Sequence, residues 1–125
     1  MSRVIKFRAW DEARKKMQKS PKFVSFKINS QGEMSAENYT PSYKLQQMPV
    51  MQFTGLLDAN GVDVYEGDLI DWMGGTFYIK WEDSDSSFFA VRTDEVIAES
   101  GQEWAGSCVV IGNIYQNKEL LSCAD

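Results

Sequence analysis

Five carboxylates lie close together in the middle of the 125-residue sequence. Four are candidate metal ligands, Asp58, Asp63, Glu66 and Asp68, and Asp71 follows in the same stretch. Hard cations such as Mg²⁺ and Ca²⁺ prefer oxygen ligands of this kind, and two bound metals could support phosphodiester hydrolysis. The cluster therefore makes a divalent-metal-dependent hydrolase one hypothesis for this chain.

The spacing of these carboxylates argues against a calcium loop. When Asp58 and Asn60 occupy the first and third positions of an EF-hand loop, Asp63 falls where the sharp turn requires glycine. Alternation along a strand also places neighbouring side chains on opposite faces, so these oxygens need not converge. We predict structural roles instead, with no metal, no cofactor and no catalytic residue.

Each acidic side chain has a simpler structural role. Asp58 suits a turn, where its carboxylate accepts backbone amides two residues further on. Glu66 and Asp68 would bond backbone amides or pair with Arg8 or Lys80. Asp71 is expected to be solvated. Under this interpretation the protein is not an enzyme.

The sequence contains no histidine. This removes the commonest general base, together with Ser-His and Cys-His nucleophilic designs and nearly all zinc sites with imidazole ligands. Cys108 and Cys123 are the only cysteines, too few for a disulfide framework and wrongly spaced for a zinc knuckle. We interpret both as reduced thiols in a cytosolic protein.

Charge is divided along the chain. Residues 1–27 carry nine basic and two acidic side chains, a charge of +7, whereas the remaining residues carry four basic and sixteen acidic ones, a charge of −12. The basic segment could face the acidic body of its own subunit, meet the next subunit of a homo-oligomer, or bind a phosphate backbone. The candidates for such contacts are Arg3, Arg8, Arg14, Lys15, Lys16 and Lys19.

Two features argue against nucleic acid as the partner. The net charge of −5 would repel a polyanion, and the basic segment contains no glycine-rich phosphate cradle. The chain has four Trp, seven Phe and five Tyr residues, which could stack on single-stranded bases. Aromatic side chains more often fill a core or an interface, and this is the role that we predict for them.

Short apolar runs alternate with glycine and asparagine turns along the whole sequence. Apolar residues make up 43% and charged residues 25%, a globular balance, and we predict one domain over residues 1–125. The pattern predicts a mostly-β fold: a bent sheet or small barrel of about eight short strands, with at most one or two short helices. The predicted turn residues are Asn60, Gly61, Gly67, Gly74 and Gly75.

The predicted strands follow hydrophobic alternation. They cover residues 3–10, 22–28, 33–39, 50–53, 62–65, 69–73, 76–81, 88–92 and 107–114. Residues 11–19 are predicted as a turn or an exposed loop, and the segment between Pro41 and Pro49 as a short helix or an irregular crossover. Thr93 and Asn117 are candidate helix caps, the latter for a turn through Leu121.

No apolar segment approaches 18 residues, and the N-terminus has no apolar signal core. We therefore expect no membrane span and no secretory signal. The predicted location is the cytoplasm.

Three blocks of the sequence resemble the YopX family, small proteins of phages and prophages of Gram-positive bacteria. They are Lys6–Asp11, Gln52–Ile70, and Val110–Asn117 followed by Glu119-Leu120-Leu121. Their order and spacing match, so the resemblance covers nearly the whole chain. It implies a β-rich fold, homo-oligomers and a phage origin, in a family with no established activity and no accepted catalytic residues.

These observations favour a self-associating, non-enzymatic phage protein that binds a host or phage protein in the bacterial cytoplasm. The first alternative is a nucleic-acid-associated protein in phage replication or regulation that uses the basic N-terminal segment. The second is the metal-dependent hydrolase, using the acidic cluster between Asp58 and Asp71.

Overall fold

The computed structural model describes residues 5–20, 22–82, 87–92, 98–99 and 104–117, with only the backbone at 98–99. Across these ranges the regular structure is antiparallel β-sheet, which confirms the mostly-β prediction. The described residues form more strands than predicted. They are β1 Phe7–Asp11, β2 Lys16–Gln18, β3 Ser25–Ile28, β4 Met34–Tyr39, β5 Leu45–Met48, β6 Val50–Leu57, β7 Asp63–Tyr65, β8 Asp68–Trp72, β9 Gly75–Glu82, β10 Ser87–Arg92, β11 Ala98–Glu99 and β12 Val109–Asn113.

Among the residues that the structure describes, no helix has the length and apolar character needed to cross a membrane.

The chain divides into two compact units. Residues 6–52 form the first, called the N-terminal unit below. Residues 1–5 and 53–125 form the second, called the C-terminal unit. The prediction that residues 1–125 make one domain stays a prediction.

The N-terminal unit contains a three-stranded meander and a separate hairpin. β3, β4 and β5 pair in sequence order. β1 pairs with β2 on one side and with residues 50–52 of β6 on the other. The apolar core is small, consisting of Ala9, Val24, Ala36 and Met48, all under 7% exposed.

For the N-terminal unit, one prediction is right in part and another is wrong. The predicted turn is present at residues 12–15, but residues 16–18 are not an exposed loop, because the chain returns there as β2. The turn is made possible by Lys15, which adopts a positive φ of 55°. The segment between the prolines forms β5, since Tyr43 (φ 65°) closes a turn that pairs Tyr39 with Leu45.

Alternation along β1 places Arg8 and Ala9 on opposite faces, yet both side chains are buried. Ile28 is 67% exposed at the end of the short strand β3.

The C-terminal unit is built on a five-stranded sheet in the order β11-β10-β9-β8-β12. Residues 53–57 of β6 pair with β7, with a register shift between Phe53 and Leu57 around Gly55. Among the described residues of this unit, the core holds nine buried side chains, including Trp72, Phe77 and Trp104. Trp104 is fully buried.

Two predicted turns of the C-terminal unit are found close to where the sequence placed them. The turn after Asp58 is present, with Gly61 at φ 78°. The β8–β9 loop consists of Met73 and Gly74, both at positive φ, whereas Gly75 already pairs with Trp72 in β9. The loop therefore begins one residue earlier than predicted, because the flexible Gly74 serves as its second residue. The predictions for 83–86, 93–97 and 118–121 lie outside the described residues.

Candidate functional site

A buried carboxylate, Asp11, organises the N-terminal unit. It is 0% exposed and both of its oxygens accept hydrogen bonds. Oδ1 accepts from the backbone N–H of Arg14 at 3.1 Å and from Nε2 of Gln46 at 2.9 Å. Oδ2 accepts from Arg14 Nη1 at 2.9 Å, Asn38 Nδ2 at 3.0 Å and Gln18 Nε2 at 3.2 Å. One side chain at the end of β1 thus connects β2, β4 and β5.

Strand register brings the amide side chains to this carboxylate. Asn38 and Gln46 are cross-strand partners, and Gln46 Nε2 donates to Asn38 Oδ1 at 2.7 Å. Asn38 lies two residues from the buried Ala36, so both side chains are on the inward face of β4. The amides therefore occupy positions where a sheet of this kind normally places apolar side chains.

The environment of Asp11 sets its charge. Burial alone would raise the pKa of Asp11, because it removes water from the ionised form. The hydrogen bonds from Asn38, Gln46, Arg14 and Gln18 act in the opposite direction and together hold the pKa of Asp11 well below its usual range. Asp11 is a permanently ionised acceptor at physiological pH, which suits an organising role and not general acid–base chemistry.

An open groove of about 970 Å³ lies next to this network in the N-terminal unit. Three basic side chains line it, Arg14, Lys16 and Lys22. The guanidinium of Arg14 is held in place, since Nη1 donates to Asp11 and Nη2 donates to the carbonyl of Tyr39 at 2.9 Å. Lys16 and Lys22 are exposed and make no ion pair with any residue that the structure describes.

The same groove has an apolar lining. Phe23, Tyr39 and Leu45 border it and are 60%, 62% and 54% exposed, although they are large. The one carboxylate among the lining residues, Glu37, already bonds the ammonium of Lys27 and the amide of Gln47. An exposed apolar patch rimmed by unmatched positive charge is typical of a binding surface.

The predicted assembly residues fall into different environments. Arg14 and Lys16 line the groove, whereas Lys15 pairs with Glu12 in the β1–β2 turn. Arg8 is buried, so its charge is not available at the surface. Lys19 is exposed beyond the end of β2, and Arg3 lies outside the described residues.

In the acidic cluster of the C-terminal unit, the carboxylate of Asp58 accepts hydrogen bonds from backbone amides. Its Oδ1 accepts from the N–H groups of Asn60 at 2.8 Å and Val62 at 2.9 Å, and its Oδ2 accepts from Val110 at 3.0 Å. Burial would raise the pKa of Asp58, but these three hydrogen bonds lower it below the usual value. Asp58 joins its own turn to β12, 52 residues away.

The other members of the acidic cluster take separate positions. Asp68 is buried and accepts the backbone N–H of Tyr65 at 2.7 Å. Asp63 and Glu66 are half-buried, and Asp71 is exposed on β8. Within residues 5–20, 22–82, 87–92 and 104–117, no three carboxylate or cysteine side chains come together in a way that could hold a metal ion.

Cys108 is enclosed in the core of the C-terminal unit. It is 0% exposed, and its thiol is free. Burial, with a smaller contribution from the negative charge of Asp58, raises the pKa of Cys108 to about 11. A thiol in this state is a core side chain and not a nucleophile.

Sequence reasoning named two residues that line the groove, Arg14 and Lys16, and missed the other lining residues and the buried network next to them. It assigned Asp11 to the start of a turn or exposed loop and gave no role to Gln18, Asn38, Gln46 or Phe23. One signal was present: Asn38 falls two residues after Ala36, on the inward face of a predicted strand. A polar amide at such a position indicates a buried hydrogen-bonding partner.

Comparisons with known proteins agree with this fold. The sequence model of the YopX protein family matches residues 6–122. The crystal structure of protein EF1440 from Enterococcus faecalis is similar, with 27% identity, a TM-score of 0.63, and coverage of 97% of this chain and 100% of that one. Protein yopX from Bacillus subtilis shares the fold at 21% identity and a TM-score of 0.56, over 95% of this chain and 98% of that one. No curated protein matches the chain. The chain belongs to the YopX family.

Proposed function

We propose that this YopX-family chain is a non-enzymatic, self-associating protein-binding module, encoded by a phage or prophage and acting in the cytoplasm of the bacterial host. The phage origin and the cytoplasmic location are proposed from the family resemblance. The binding function is argued from the distribution of charge over the two units.

The observation that carries the proposal is that charge divides along the same boundary as the fold. The N-terminal unit, residues 6–52, has nine basic and four acidic side chains, a formal charge of +5. The C-terminal unit has four basic and fourteen acidic side chains, a formal charge of −10. Opposite charges on two compact parts of one chain favour association between copies, because each copy offers both surfaces.

Two further observations support a binding module over an enzyme. The buried carboxylates Asp11 and Asp58 use both of their oxygens to hold backbone and side-chain donors in place. The groove of the N-terminal unit brings the exposed side chains of Lys16, Lys22 and Phe23 together, and this combination of basic and apolar surface suits contact with a macromolecule.

Sedimentation velocity at micromolar concentration tests self-association. We expect oligomers at physiological ionic strength that dissociate as salt rises toward 1 M, where the screening length falls to about 3 Å. Reversal of two exposed charges outside the groove, Lys15→Glu with Lys19→Glu, should weaken association by about tenfold or more.

The control is Lys80→Glu, compared with Lys19→Glu alone. Each variant changes the net charge by the same amount at one exposed position, but Lys80 lies in the C-terminal unit, so its reversal leaves the charge of the N-terminal unit unchanged. We expect Lys80→Glu not to weaken association. A wild-type chain that stays monomeric at low salt would contradict self-association.

A further inference from the structure

We propose that the groove of the N-terminal unit binds an extended acidic segment of a different protein by strand addition. This inference rests on the proposed protein-binding function and names the site and the chemistry of the partner.

The groove is bordered by two strands that each end a sheet. β2 is the terminal strand next to β1, and β3 is the terminal strand of the β3-β4-β5 meander. Among the described residues, each has a neighbour on one side only. The outer N–H and C=O groups of a terminal strand are a ready template for another extended chain.

The side chains beside these strands suit a polypeptide in which acidic and apolar residues alternate. Phe23 and Leu45 offer apolar surface to one face of an added strand. Lys16 and Lys22 offer ammonium groups to the other residues of that strand. Because successive side chains of a strand point to opposite faces, a segment that alternates acidic with apolar residues satisfies both linings.

The positive charge of the groove favours binding of an acidic segment. The basic side chains at the groove outnumber the acidic one, and the carboxylate of Glu37 is already bonded to Lys27. Lys16 and Lys22 sit in the rim with no described ion-pair partner, so a carboxylate from outside would meet charges that the protein leaves unmatched. Rim charges of this kind control the rate and specificity of association.

A polypeptide fits this groove better than a nucleic acid. Arg14, the residue best suited to a bidentate phosphate contact, already gives one guanidinium nitrogen to Asp11 and the other to the carbonyl of Tyr39. Terminal strand edges offer hydrogen bonds that match the repeat of a polypeptide backbone. A phosphate backbone would leave those edges without partners.

The test uses the full chain and a short capped peptide in which glutamate alternates with valine and tyrosine. Binding is followed by chemical-shift changes at Lys16–Gln18 and Ser25–Ile28. We expect saturable shifts confined to the groove. Replacing glutamate by lysine in the peptide, or N-methylating the backbone amides on one edge, should each weaken binding by about tenfold or more.

Variants of the protein locate the site. Lys16→Glu with Lys22→Glu should weaken peptide binding by about tenfold or more, whereas the control Lys44→Glu with Lys80→Glu should leave it unchanged. Equal binding of two peptides N-methylated on opposite edges would overturn strand addition, because one of them must lack the amides that face the groove. Equal binding by the groove variant would overturn the site.

Two other occupants give distinct results. If oligothymidylate shifts the same residues and the peptide does not, a nucleic acid occupies the groove and the proposal is wrong. If Lys16→Glu with Lys22→Glu abolishes self-association and the peptide does not bind, the occupant is a second copy of this chain. A monomeric wild type that binds the peptide would contradict self-association alone, and an oligomer that ignores the peptide would contradict the groove assignment alone.

Discussion

The two units of this chain use different interiors. Among the described residues, the C-terminal unit has a core of nine buried side chains that includes Trp72, Phe77 and Trp104. The described part of the N-terminal unit has a core of four, and it also contains the buried, ionised carboxylate of Asp11, which accepts five hydrogen bonds. The hydrophobic effect stabilises a core without requiring a particular orientation of the groups that are buried. Hydrogen bonds to a buried charge depend on geometry and therefore require one particular arrangement of strands.

The difference bears on function. In the N-terminal unit the exposed side chains of Phe23, Tyr39 and Leu45 line the groove. The Asp11 network orients Arg14 and Asn38, both of which are part of that groove. We infer that the polar network stabilises the N-terminal unit less than an apolar core would, but fixes the positions of the side chains that line the groove.

The largest effect is expected in the apolar core. Trp104→Ala should lower the free energy of unfolding by about 3–5 kcal/mol, because it removes a fully buried ring and leaves a cavity. Urea unfolding measures the change. Trp81→Ala is the control, since Trp81 is 38% exposed and should cost less. Equal losses would contradict the assignment of Trp104 as the central core residue.

The next effect is expected in the polar network. Asp11→Asn keeps the shape but removes the charge and sets an amide N–H₂ against buried donors. We expect a loss of about 2–3 kcal/mol, since breaking a buried charged network leaves polar groups unsatisfied. Asp71→Asn on an exposed position of β8 should change stability by less than about 0.5 kcal/mol. A loss below about 1 kcal/mol for Asp11→Asn would contradict the organising role.

A smaller effect, which changes gradually with pH, is expected in the difference in stability between the wild type and Asp11→Asn. The pKa of Asp11 is lowered by folding, so its stabilising contribution is fully present above the unfolded-state value of about 4. It is lost as pH falls below that value toward the lowered folded pKa. The stability difference between the wild type and Asp11→Asn should therefore narrow from pH 7 to pH 3 in urea titrations. If this difference in stability widened between pH 7 and pH 3, folding would not lower the pKa of Asp11.

The smallest effect concerns the bulge in β12. A Cβ added at Gly112 would collide with Oδ1 of Asn117, the atom that accepts the backbone N–H of Asn113. Gly112→Ala should cost about 1–2 kcal/mol, because the Asn117 side chain must move and lose this bond. In the Asn117→Ala background the same substitution should cost much less. Additive losses in this double-mutant cycle would exclude the contact as the cause.

Much of the C-terminal unit could be predicted from local sequence. β8, β9 and β10 follow the apolar runs, and the turn at Asp58 follows from its own side chain and Gly61. The β8–β9 loop was placed one residue too late, because Met73 adopts a positive φ that favours glycine and is uncommon for a methionine. A local pattern could not reveal this.

Less of the N-terminal unit could be predicted. β2 and β5 are short, and their alternating positions hold lysine and glutamine, so hydrophobic periodicity is absent. These strands are held by pairing and by the Asp11 network instead. The groove was missed for the same reason, since its lining comes from the β1–β2 turn and four strands that are separated in sequence.

By itself the amino-acid sequence determined the mostly-β class, the family, the exclusion of histidine chemistry and the division of charge. These properties depend on composition and on neighbours a few residues apart. Only the tertiary structure decided that Asp11 is buried and that its donors include Asn38 and Gln46, 27 and 35 residues further on. A carboxylate in a sequence has no preferred partner; folding selects one by bringing distant donors to it and removing the water that would otherwise solvate them.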